Sequence, residues 1–131
     1  MWRNIEGLSR TIDFTPDDSL IWDENDEMVS LHLVSSSGLL KEAVKLGAKV
    51  LEEFLPEDLI SVVTKASIKH YNPCVVGKTI VIGVRVTNVE GNLIQFYSVI
   101  TKENRKIAEI EFTRAIVSKS YLRRKVIEET A

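Results

Sequence analysis

The hydrophobic pattern of this chain changes from helical to strand period at Pro56. Before it, Leu40, Ala43, Val44, Gly47, Val50, Leu51 and Phe54 recur at helical spacing and form one apolar stripe. Lys41, Lys45, Lys49 and Glu52 fall on the other side. After Pro56, apolar and polar residues alternate in several runs that end near Ser118, the period of strands. One long helix followed by strands on tight turns predicts an α+β domain. Its helix would cover the apolar face of a five-stranded antiparallel sheet.

The local signals set the element boundaries. The helix is predicted over Ser37 to Phe54, with the hydroxyls of Ser35, Ser36 and Ser37 available to cap its first turn. Pro56 stops it. Gly47 inside the stripe costs roughly 1 kcal/mol against alanine, so a neighbouring backbone is expected to approach closely there. Ile60 to His70 reads as a strand in which Val62, Ala66, Ile68 and His70 share a face. Tyr71-Asn72-Pro73 breaks it, and Gly77 opens the next strand, where Ile80, Ile82, Val84 and Val86 share a face. Leu93 to Lys102 and Ile107 to Ser118 follow, each after a tight turn at Glu90-Gly91-Asn92 or Glu103-Asn104-Arg105. These short connections predict a meander of all four strands. Gly7 to Phe14 supplies a fifth strand. Thr15 to Glu27 is an acidic, solvated connection held by Ile21 and Trp22. The tail, Lys119 to Ala131, is basic and then acidic, and reads as a short helix. One helix leaves sheet edges bare, which predicts pairing with a second copy as a homodimer, with a higher oligomer left open.

Composition excludes several classes. The 131 residues fit a single domain, 1–131. Lys plus Arg number 17 and Asp plus Glu 19, a net charge of −2 that argues against a nucleic-acid partner. No apolar run approaches the roughly 20 residues that span a bilayer. Met1 to Arg10 lacks the apolar core of a signal peptide. A single cysteine, Cys74, excludes an internal disulfide framework, and two histidines leave little for a metal site. With no GxGxxG and no Walker motif, no metal, flavin or nicotinamide cofactor is implied. The expectation is a cytoplasmic protein with neither membrane nor nucleic acid as partner.

Two residues stand out as candidates for chemistry. His70 ends its strand on the core side, and an imidazole exchanges protons near neutral pH. Ser37 stands at the helix start, where amide N–H groups favour an anion or a polarised carbonyl. For each there is a plainer role, a satisfied core-edge histidine and a simple helix cap. Cys74 reads as a semi-buried thiol and His32 as a packing residue. Arg123, Arg124 and Lys125 could meet a phosphate, although such runs are more often a solvated tail.

Three stretches together resemble a known pattern: Ser36-Ser37-Gly38-Leu39-Leu40 entering the helix, Ile68-Lys69-His70 with Gly77 and a Val/Ile strand beyond, and Thr113-Arg114-Ala115-Ile116-Val117. In order, they resemble the hotdog fold and, more narrowly, the family of the fluoroacetyl-CoA-specific thioesterase. That resemblance implies a site at a dimer interface. There a Thr or Ser at the helix start, a Glu two turns along and a His at the strand end act on an acyl thioester. It implies Ser37 as the hydroxyl and His70 as the histidine, with Gly38, Lys45, Gly77 and Arg114 binding substrate. The Gly38 N–H would stabilise the oxyanion. Eight residues after Ser37, about 80° around the helix, the expected glutamate is replaced by Lys45, which would face the anionic intermediate or a CoA phosphate. Val63 stands where the fluoroacetyl-specific enzymes have a small residue, so a different acyl group is implied. The resemblance supports acyl-CoA hydrolysis. The alternative is a non-catalytic acyl-CoA or small-ligand binding module with a regulatory role, because Lys45 replaces the glutamate. A hotdog dehydratase would need an Asp and His arrangement on the helix and its preceding loop, which is absent.

Overall fold

A computed structural model describes residues 2–131. Five strands form one antiparallel sheet: β1 (Ser9–Phe14), β2 (Leu59–His70), β3 (Ile80–Glu90), β4 (Leu93–Lys102) and β5 (Arg105–Ser118). Helix α1 (Ser36–Glu52) packs on one face, and α2 (Lys119–Thr130) follows the last strand. No helix is long and apolar enough to cross a membrane among the described residues.

The sheet order is β1-β3-β4-β5-β2. Only β3, β4 and β5 form the predicted meander; β2 pairs with β5 and not with β3. The reason lies in the connection from Tyr71 to Thr79, which is too long for a hairpin turn and carries the chain across the sheet. Strand β1 takes the open side of β3. Strand β2 is therefore an edge, hydrogen-bonded on one side.

The helix-facing side is apolar where the period predicts. Ile80, Ile82, Val84, Val86, Ile94, Phe96, Ile100, Ile110 and Phe112 are buried there. The helix presents Leu39, Ala43, Leu46, Gly47, Val50 and Leu51, while Leu40, Val44 and Phe54 are half-buried at the margin. Gly47 is tightly constrained: a Cβ there would lie 2.6 Å from Phe112 Cε2. The close neighbour is a ring and not the expected backbone, because Phe112 stacks on Phe96 with centroids 4.7 Å apart and fills the space under the helix.

Strand β2 carries one irregularity. Its pairing with β5 slips between Val63 and Lys65. The bulge at Thr64 reverses the alternation, so Ser61 and Val63, not Val62, share the face of Ala66, Ile68 and His70. A strict period-two count cannot register an inserted residue.

Candidate active site

The cleft is built where the start of α1 meets the end of β2. Ser35 is the N-cap of α1, and its Oγ accepts from the Gly38 amide at 2.9 Å. Its own amide donates to the Leu20 carbonyl, which fixes the helix start against the turn Asp18–Leu20. The Val34 amide donates to the Cys74 carbonyl, and the Trp22 amide to the Leu33 carbonyl. These bonds draw the acidic segment and the loop after β2 around the helix end. The resulting cleft of about 180 Å³ is lined by Trp22, Leu33, Val34, Ser35, Ser36, His70 and Pro73.

Ser36 Oγ lies 2.7 Å from His70 Nδ1. The hydroxyl against the imidazole is thus Ser36, one residue before the expected Ser37. Three serines in succession leave the choice to the cap: with Ser35 bonded to Gly38, the next residue faces the strand. The Ser37 hydroxyl turns back to Ser35 Oγ at 3.2 Å. On its other side, His70 Nε2 is buried with no hydrogen-bond partner among the described residues. The Gly38 amide is occupied by the cap, and the Leu39 amide donates to the Ser35 carbonyl. The open donors of the first turn are therefore the amides of Ser36 and Ser37, and the positive end of α1 lies at the same place.

The other expected substrate contacts do not converge here. Lys45 is exposed, with Nζ 3.6 Å from Glu42 Oε2. Counted from Ser36, the position eight residues on is Val44, whose carbonyl accepts from Arg114 Nη1 at 2.8 Å. The place of the expected carboxylate is thus apolar. Arg114 is buried and committed to the fold: Nε donates to Ser61 Oγ at 2.8 Å and Nη2 to the Ser61 carbonyl at 3.0 Å. Burial pulls its pKa below the usual guanidinium value. Gly77 has φ +88° and its amide donates to the Pro16 carbonyl, a turn role. Cys74 is fully buried, and burial raises its pKa. His32 does not pack: it is exposed and closes the turn Met28–Leu31 with φ 57°. Sequence reasoning missed Trp22 and Pro73 as cleft walls. The signal for Trp22 was a lone indole within an acidic run.

A long helix laid on a five-stranded antiparallel sheet, with a hydroxyl and an imidazole paired at the helix start, defines a hotdog-fold protein of the thioesterase type. Solved structures agree on the fold. A hot-dog-like protein from Thermanaerovibrio acidaminovorans superposes with a TM-score of 0.89 at 22% identity, covering 96% of this chain and 93% of its own. A thioesterase superfamily member from Thermus thermophilus gives 0.84 at 17%, covering 97% and 96%. The fluoroacetyl-CoA thioesterase FlK gives 0.84 at 16%, covering 96% and 97%; a variant of it has been solved with acetyl-CoA. The family model of FlK, fluoroacetyl-CoA-specific thioesterase, matches residues 16–120, and the chain belongs to that family. No curated protein matches it in sequence.

Proposed function

We propose that this protein hydrolyses an acyl-CoA thioester, with Ser36 and His70 as the catalytic pair. The observation that carries the reading is the 2.7 Å contact between Ser36 Oγ and His70 Nδ1 in a cleft at the N-terminus of α1. With its proton on Nε2, His70 accepts the Ser36 proton at Nδ1 as Oγ attacks the thioester carbonyl. The developing oxyanion meets the Ser36 and Ser37 amides and the positive helix end. The C–S bond breaks, the CoA sulfur takes the proton from His70, and the acyl group remains on Ser36. Water then attacks the ester, His70 takes its proton and returns it to Ser36, and the free acid leaves. Trp22, Leu33, Val34 and Pro73 give the acyl group apolar walls. A homodimer paired through the β2 edge is part of this reading.

A second reading is non-catalytic binding of acyl-CoA. Val44 favours it, since no carboxylate stands two turns along α1 to support His70. Thiol release from a panel of short and medium acyl-CoAs separates the two. Hydrolysis requires release that falls by about a hundredfold or more in His70→Ala. Calorimetric binding of acyl-CoA without turnover would establish the second reading instead.

A further inference from the structure

The cleft that would take an acyl-CoA has no cation in its lining. The segment leading into helix α1 is acidic: no Lys or Arg stands between Arg10 and Lys41, where Asp13, Asp17, Asp18, Asp23, Glu24, Asp26 and Glu27 fall. Coenzyme A carries three phosphates, which need cations at close quarters. The chain's densest cationic run is on α2, where Arg123 and Arg124 have no carboxylate within ion-pair distance among the described residues. Lys125 is held by Glu128 at 3.3 Å.

Helix α2 lacks a partner of its own. None of its residues is buried, and Val126 and Ile127 are 62% and 65% exposed. A helix of that length is marginal without tertiary packing. It leaves the sheet beside Leu59, which pairs with Ser118, while His70 ends the same strand at the other extreme. Eleven steps of a strand separate them by roughly 36 Å, whereas α2 is only about 18 Å long. Its cations cannot reach the cleft of their own chain.

A two-fold axis changes this. Strand β2 is an open edge with Ile60 and Val63 39% and 40% exposed, and two identical edges related by a two-fold meet antiparallel. Centred on β2, that axis sets the start of one β2 beside the end of the other. The partner's α2 then arrives at the cleft-bearing end, where Met28, Leu31 and Val75 are exposed apolar residues suited to its own bare Val126 and Ile127.

Resting on the acyl-CoA reading above, we infer that each cleft is completed in trans: the partner's Arg123 and the partner's Arg124 hold the CoA phosphates of a thioester bound against Ser36 and His70. The test uses full-length protein with CoA as calorimetric probe and a matched acyl-pantetheine as second substrate. In Arg123→Glu/Arg124→Glu, the Kd for CoA and the KM for acyl-CoA should rise about tenfold or more. The KM for the acyl-pantetheine, which lacks the nucleotide phosphates, should hold steady, and the dimer should persist in sedimentation. Mixed dimers of this variant with His70→Ala should regain one complete cleft, because the intact His70 faces the intact α2. Wild-type protein that binds no CoA would overturn the acyl-CoA reading and this inference with it. Wild-type binding with an unchanged Kd in the charge variant, or mixed dimers no more active than the charge variant alone, would overturn the inference and leave that reading standing; a monomeric wild type would overturn the inference together with the dimer in that reading.

Discussion

Arg114 is the residue for which resemblance and structure differ most sharply, and replacing it with methionine separates them. Resemblance makes it a substrate contact; the structure makes it a clamp between α1 and β2 through Val44 and Ser61. The cost can be worked from these bonds. Methionine keeps most of the side-chain volume but leaves Ser61 Oγ, itself buried, without its partner. An orphaned buried hydroxyl costs about 1–3 kcal/mol. Two carbonyls also lose charge-assisted bonds worth about 1.5–3 kcal/mol each. Against this, removing a buried cation with no carboxylate within ion-pair distance among the described residues recovers a desolvation penalty of several kcal/mol. The two larger contributions oppose each other, so the orphaned hydroxyl sets the balance, about 2 kcal/mol of lost stability.

For a chain of this size that is a fall in Tm of roughly 8 °C. Denaturant unfolding of Arg114→Met should show the same loss through its midpoint, with an unchanged slope. The double variant Arg114→Met/Ser61→Ala removes the stranded hydroxyl and should recover most of that loss. In the same samples the KM for acyl-CoA should remain that of the wild type. A variant with wild-type Tm and a KM raised about tenfold would refute the clamp and restore Arg114 to the substrate site.

The other predictions concern single contacts. Ser36→Ala should remove thiol release almost entirely, whereas Ser37→Ala should retain most of it; the opposite order in a steady-state assay would assign the hydroxyl to Ser37. Gly47→Ala sets a helix-propensity gain of roughly 1 kcal/mol against overpacking of about 1–3 kcal/mol on the Phe112 ring, so thermal unfolding should show a net loss; a rise in Tm would mean that Phe112 yields freely. Cys74 should react with an alkylating agent far more slowly in native protein than in denaturant, because its thiol is buried and its pKa raised. A raised pKa means that the folded state holds the thiol proton longer. Its contribution to stability is intact below the ordinary thiol range and is lost as pH rises through the folded value. Cys74→Ala should lack that alkaline loss, as pH-dependent unfolding would show.

Much of the fold was legible because burial follows period. Alternation in β3, β4 and β5 placed Ile82, Phe96 and Ile110 on the helix side, and the stripe on α1 placed Ala43, Gly47 and Val50 against them. What the pattern could not carry was partner choice. An amphipathic strand satisfies its inner face equally well beside β3 or β5, and the long loop from Tyr71 to Thr79 together with the claim of β1 on β3 decided the matter. The bulge at Thr64 was hidden for a related reason. Ile60, Val62, Thr64, Ala66 and Ile68 alternate without a break, yet pairing reverses the face at Thr64.

The site turns on a smaller ambiguity with larger consequences. Ser35, Ser36 and Ser37 are chemically the same residue, each about 100° further around the helix start. Which of them faces the strand depends on which one takes the cap, and that is set from outside the helix by the Leu20 carbonyl holding the Ser35 amide. Once Ser35 is the cap, Ser36 meets His70, and the position two turns on becomes Val44 in place of Lys45. The electrostatic question changes with it. A lysine in the carboxylate's place would oppose a positive charge on the imidazole, whereas a valine brings no charge, and Nε2 is buried with no hydrogen-bond partner among the described residues. In the proposed hydrolysis, the imidazolium formed on taking the serine proton would be stabilised by the oxyanion beside it and by whatever anion the substrate brings. Acyl transfer, as proposed for this cleft, would rely on the first-turn amides of α1 more heavily than a site with its carboxylate intact, which makes the backbone held by the Ser35 cap the part of the cleft expected to be least tolerant of change.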